Sequence, residues 1–236
     1  MNENLRTDLE AVFVIHRRAF RETSAILEVF SRNHGRLGLV ARGVHRRQSP
    51  LRTALTPFVP LLMSWSGRSE LATLREVEVA SVVDGLLGDA LLSAMYINEL
   101  LMRLTHRHDP HPELFDAYDV AIRDLASGQT IEQTLRVFEK RILEAIGYGP
   151  ILECEADGGR AVLANERYRY VVDRGPTREP QPAGEFIAIT GETLLLLAKE
   201  QPLNDAAKKE AKRLMRFLLA AHLGGRPLAS RELFRR

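Results

Sequence analysis

Cysteine is almost missing from this chain: Cys154 is the only one, which rules out an intramolecular disulfide and any cysteine-rich metal site. A single thiol fits a reducing compartment. There is no apolar signal-like stretch near Met1 and no run of about 18 apolar residues, so a soluble cytoplasmic protein is expected. The signatures of common enzymes are missing as well: no GxxxxGK[ST], no GxGxxG after a strand, no HExxH and no GxSxG. Cys154 is flanked by Glu153 and Glu155, the wrong charges to favour a reactive thiolate. His106, His108 and His111, with Asp109, form a histidine cluster, but their spacing is unlike that of metal ligands and Pro110 and Pro112 interrupt it. It reads as a solvated linker. Neither catalysis nor a cofactor nor a metal is expected.

What is present is arginine, unevenly spread. The 236 residues are 45% hydrophobic, enough to bury a core in one large domain or two small ones, and the formal net charge is only +2. Residues 1–80 hold 12 Arg, no Lys and 8 acids, whereas residues 81–150 hold 6 basic and 11 acidic side chains. Between His16 and Arg52, nine arginines (Arg17, Arg18, Arg21, Arg32, Arg36, Arg42, Arg46, Arg47 and Arg52) face two acids, Glu22 and Glu28, leaving +7 before His45 and two other histidines are counted. A guanidinium is always charged and its planar fork matches phosphate, so such a segment suits the backbone of a nucleic acid. A solvated face is the plainer reading, but it does not explain the shortage of compensating acids. Phe20, Phe30 and Trp65 are candidates for base stacking, with packing in the core as the competing role.

The first third of the sequence predicts strands at residues 11–16, 25–30, 36–41, 57–64 and 71–79, with turn residues between several of them. A hairpin is expected around Gly67. Five short strands and one long connection over residues 43–56 fit a closed barrel of OB type; an SH3-like barrel has nearly the same pattern. After Gly85 the period changes to 3.6, predicting helices from about Leu87 to His108, from Glu113 to about Ala126, and from Thr130, where Gln133 completes a capping-box pattern, to Gly147. Residues 151–190 are irregular, with possible strands at 168–172 and 186–189. A last long helix is expected over 204–223, with Lys208, Lys209, Lys212, Arg213 and Arg216 off its apolar stripe, either a second nucleic-acid contact or a solvated face. The expected class is α+β in two domains, a five-stranded OB-type barrel over 1–80 and a mainly helical domain over 81–236 with a small irregular β insertion.

Several segments, in order, resemble the RecO family. They are residues 22–30 (ETSAILEVF), His34-Gly35-Arg36-Leu37, residues 39–47 (LVARGVHRR), Leu55-Thr56-Pro57-Phe58, Tyr96-Ile97-Asn98-Glu99-Leu100-Leu101, Leu135-Arg136-Val137-Phe138-Glu139, Gly147-Tyr148-Gly149 and residues 223–234 (LGGRPLASRELF). The resemblance implies a non-enzymatic mediator of DNA repair and recombination. Such a protein binds single- and double-stranded DNA, anneals complementary strands and helps load recombinase onto DNA coated by single-stranded-DNA-binding protein, with RecR as a partner. Many members carry a four-cysteine zinc site after the third helix, where this chain has Cys154 alone, so a zinc role does not carry over.

The resemblance further implies that the helical domain binds the acidic, phenylalanine-ended tail of single-stranded-DNA-binding protein. An apolar slot with a cation would suit such a tail. Leu135 and Phe138, with Arg136, Lys140 and Arg141, are expected to supply it, opposite Tyr118 and Ile122. In the competing reading Leu135 and Phe138 are core and the cations balance Glu132, Glu139 and Glu144. Two other functions stay open on the residues alone: an RNA-binding barrel, and a protein adaptor whose arginines are merely solvated.

Overall fold

The computed structural model describes residues 6–47, 49–67, 71–83, 85–225 and 227–230. They fall into two compact units, Met1–Ser127 and Gly128–Arg236. The first unit begins with five strands, β1 (Arg6–Phe20), β2 (Ser24–Ser31), β3 (Gly35–Ala41), β4 (Pro60–Ser66) and β5 (Leu71–Val79), with one helical turn, α1 (Leu51–Ala54), between β3 and β4. They close in the order β1-β2-β3-β5-β4, with β1 paired to both β2 and β4. All neighbours are antiparallel except β3 and β5, whose residues Gly38, Leu39 and Val40 face Leu71, Ala72 and Thr73 in parallel. This is the expected OB-type barrel. β4 and β5 pair as a hairpin around Gly67; residues 68–70 of the expected turn lie outside the described residues.

Strand alternation sends one set of side chains inward and the other outward. Val12, Val14, Leu27, Val29, Leu37, Leu39, Leu61, Met63 and Trp65 fill the barrel, and Val44 and Leu55 from the long connection join them. The outward set is buried too where helices cover it. Phe13 and Phe30 point out of the barrel against Phe115 and Tyr118, with ring centroids between 4.8 and 6.2 Å apart. Those rings belong to α3 (Pro112–Ala126), which follows α2 (Gly88–Leu104). The register of β1 slips between Val14 and His16, and Asn98 Nδ2 on α2 donates to the Ile15 carbonyl at 2.9 Å. Asn98 Oδ1 in turn accepts from Tyr118 Oη at 2.7 Å. Thus the barrel strands end at Val79, while α2 and α3 are packed as part of the barrel's own unit.

The second unit contains α4 (Ile131–Ala145), a three-stranded sheet of β6 (Arg167–Val171), β7 (Gly175–Thr177) and β8 (Phe186–Thr190), then α5 (Gly191–Ala198) and α6 (Asp205–His222). The sheet order is β7-β6-β8. α4 begins at Thr130 as expected, but no capping box closes: the Thr130 side chain makes no cap bond, and Gln133 reaches instead to the Gln201 carbonyl and the Leu203 N–H. The glutamine ties α4 to the α5–α6 connection rather than to its own first turn. α6 is capped by Asn204, whose Oδ1 accepts from the Ala207 N–H at 2.9 Å.

The segment from Cys154 to Arg178 is braced by charge. Glu155, only 2% exposed, accepts from Arg178 Nε at 2.7 Å and pairs with Arg160 at 3.1 Å, while Tyr168 Oη donates to it at 3.4 Å. Asp157 accepts from Thr177 and from Arg174; both bonds hold its carboxyl below the usual carboxylate range, the threonine contributing more. With its cross-links supplied by side chains, the protein is expected to keep its fold after exhaustive chelation. Elemental analysis checks this: one tightly held zinc per chain would contradict it.

Candidate nucleic-acid interface

The arginines of the N-terminal segment divide into two groups, at opposite ends of β2 and β3. At one end, β1 runs into the turn 21–23 and Phe20 pairs with Ser24, while Ala25 pairs with Ala41 at the end of β3. The connection after β3 folds back on that turn through His45 N–H to the Thr23 carbonyl at 3.0 Å. Gly43 supplies the left-handed backbone this requires, at φ 73°, and the Arg46 side chain lies 3.5 Å from where a Cβ would stand. Arg17 Nη1 donates to the carbonyls of Arg52 and Leu55, fastening α1 to the same end. Arg18, Arg21, Arg42, His45, Arg46, Arg47 and Arg52 are all exposed there. Among the described residues none of these six guanidiniums has an acidic partner.

Arg32 and Arg36 lie at the other end and are already engaged. Arg32 forms a two-pronged pair with Asp116 of α3 at 3.0 and 2.8 Å, which raises the guanidinium's pKa and lowers the carboxyl's. Arg36 sits 3.3 Å from Glu28 and donates to the Thr105 carbonyl at 3.0 Å. Burial lowers its pKa, against the pull of Glu28. Arg107 completes the cluster with two bonds to Glu28 at 3.0 and 2.6 Å. The loop carrying Arg107 lies directly on the β2–β3 turn: His108 N–H donates to the Arg36 carbonyl, and a Cβ on Gly35 would stand 2.2 Å from the Asp109 carbonyl oxygen. These two arginines hold the barrel to its helices, a use that composition does not distinguish from phosphate binding.

Aromatic placement sorts the stacking candidates. Phe30 and Trp65 are 1% and 5% exposed, Phe30 under α3 and Trp65 inside the barrel with His34 edge-on to it. Phe20 is half-buried at the basic end. On α6, Lys209, Lys212, Arg213 and Arg216 are exposed on one face, while Lys208 is half-buried and pairs with Asp205 at 3.3 Å.

The residues expected to form a tail slot are placed differently. Tyr118 and Ile122 belong to the first unit and are fully buried there. On α4, Phe138 is core, and Arg136 turns inward to bond Glu139 at 2.6 Å with both side chains under a tenth exposed. Lys140 is buried against Glu200 at 2.7 Å. Leu135 is half-buried, and Arg141 is the exposed cation of the set, paired with Glu200 and Glu144. The inward turn of Arg136 is not readable from the sequence, because Leu135 and Phe138 define an apolar side that leaves its position undetermined.

The fold and site together define an OB-type barrel with one open basic end, joined to a helical unit with its own basic face. Residues 8–83 match the family described as "Recombination protein O N terminal" and residues 88–232 that described as "Recombination protein O C terminal". The chain belongs to the RecO family. It is 48% identical to the DNA repair protein RecO of Methylococcus capsulatus, over 98% of this chain and 94% of that one. With the DNA repair protein RecO of Nitrosococcus oceani the identity is 44%, covering 97% and 93%; with that of an Azoarcus species it is 42%, covering 97% and 95%.

Proposed function

We propose that this protein is a non-enzymatic DNA-binding mediator of recombinational repair, holding single-stranded and duplex DNA by their phosphates and promoting the pairing of complementary strands. The observation that carries this reading is the set of six guanidiniums around one end of the barrel that have no acidic partner among the described residues. Desolvating a phosphate against an arginine already paired with an acid would first break that pair; here no such cost arises. The four cations on the exposed face of α6 provide a second track. Two strands that repel each other are brought together when both are neutralised on one molecule, and no bond need be broken or cofactor consumed. RecR and the acidic tail of single-stranded-DNA-binding protein are the protein partners that fit this role. For the tail, Arg141 is the α4 cation in reach of solvent, so Arg141→Ala is the variant that tests it.

Arg42, Arg46 and Arg47 are exposed and concentrate their charge beside Gly43. Replacing all three with alanine should weaken binding to every DNA sequence alike and flatten the plot of log affinity against log salt by about 0.7 to 0.9 for each phosphate no longer neutralised. An unchanged slope would remove these residues from the interface. DNA affinity that is undetectable and indifferent to salt would favour an adaptor, and tighter binding of a matched RNA strand than of the DNA strand would favour an RNA-binding module.

A further inference from the structure

We infer that Phe20, covered by Arg21, is a stacking platform for an unpaired base, through which the basic end of the barrel distinguishes single-stranded from duplex DNA. This rests on the DNA-binding reading above and extends it from phosphates to bases. Phe20 is the last residue of β1, and Arg21 opens the turn into β2 in the left-handed conformation at φ 55°. The Arg21 guanidinium carbon lies 5.1 Å from the centroid of the Phe20 ring. The ring is therefore neither core nor free: one face has a cation over it. Arg21 is exposed and has no acidic partner among the described residues, and its neighbour Glu22, also exposed, makes no ion pair with it there.

A guanidinium held only by a ring can move aside cheaply. A base has the same flat shape and binds both surfaces, stacking on the phenyl face below and under the guanidinium above. The surrounding Arg18, Arg42, Arg46 and Arg47 would hold the phosphates on either side of that base. Paired bases are already stacked and face inward, so a duplex gains the phosphate interactions and not the ring. The other aromatic side chains of the barrel do not offer this. Phe13, Phe30 and Trp65 are buried, and Phe58, which is half-buried, has no guanidinium over its ring among the described residues.

The test compares a thymidine homopolymer with a strand of equal length whose sugars carry no bases, at fixed salt, for the full-length protein and for Phe20→Leu and Phe20→Trp. The wild type should bind the thymidine strand about tenfold more tightly than the baseless one, a typical yield for one base on one aromatic ring. Phe20→Leu retains the apolar packing without the π face, and should bind both strands with the affinity the wild type shows for the baseless one. In Phe20→Trp the indole emission should be quenched by the thymidine strand and not by the baseless one. A Phe20→Leu protein that keeps the tenfold ratio overturns the proposal. So does a wild type that binds both strands equally with ordinary salt dependence, or a Phe20→Trp protein whose emission ignores the base. Loss of salt-dependent binding to both strands in the wild type would instead overturn the DNA-binding reading itself.

Discussion

Replacing Arg136 with alanine is expected to destabilise the second unit by about 3 to 5 kcal/mol, because it breaks a buried ion pair with Glu139. The two side chains are 6% and 1% exposed and meet at 2.6 Å, so solvent does little to soften the loss. The measurement is denaturant unfolding followed by a signal from the second unit, with Arg136→Met/Glu139→Gln as the companion variant. The double change removes both charges at similar volume and should recover part of the loss. A change below about 1 kcal/mol for Arg136→Ala would show that the pair is hydrated in solution. The same expectation governs how tail binding should be probed: a drop in peptide affinity caused by Arg136→Ala would report unfolding, whereas Arg141, 47% exposed, can be removed without that penalty.

Tyr118→Ala should cost about 3 to 5 kcal/mol of the first unit's stability and loosen α3 from the barrel. The ring is fully buried between Phe13 and Phe30, and its hydroxyl donates to Asn98, which in turn fixes the Ile15 carbonyl at the slip in β1. Burial pushes the phenol's pKa up, with Asn98 pulling the other way, so the group remains a neutral donor. Tyr118→Phe isolates the hydroxyl and should cost about 1 to 2 kcal/mol, the penalty for leaving the Asn98 oxygen without its donor. Thermal unfolding of both variants, together with amide exchange along α3, checks this. Equal stability of Tyr118→Ala and wild type would mean that the helices contribute little to the barrel's unit.

Most of the barrel strands are legible in the sequence because they are short runs of apolar, β-branched and aromatic residues flanked by turn residues. β1 extends beyond the expected 11–16 at both ends, and its last residues include Arg17 and Arg18, charges that look like loop until β2 is there to pair with them. α5 escapes a sequence reading because Leu194 to Leu197 is an unbroken apolar run with no helical period, and α1 because it is one turn long. The basic cluster is legible as composition, but its division is not. Nothing local marks Arg32 as different from Arg42, since its partner Asp116 lies 84 residues away, and Arg36 combines Glu28 on the paired strand with Thr105, 69 residues away. The same holds for α4, where burial of Arg136, Glu139 and Lys140 is imposed by what packs around the helix and not by its own pattern.

The ionic brace around Glu155 has a consequence under oxidative stress. A metal held by four thiolates is released when peroxide oxidises the sulfur, and the segment it cross-links comes loose with it. Carboxylates and guanidiniums offer peroxide no such target, and Arg160, Arg178 and Tyr168 converge on Glu155 without any sulfur ligand. Oxidation of the exposed Cys154 would alter one side chain and leave those cross-links in place. Peroxide would thus leave these cross-links in place.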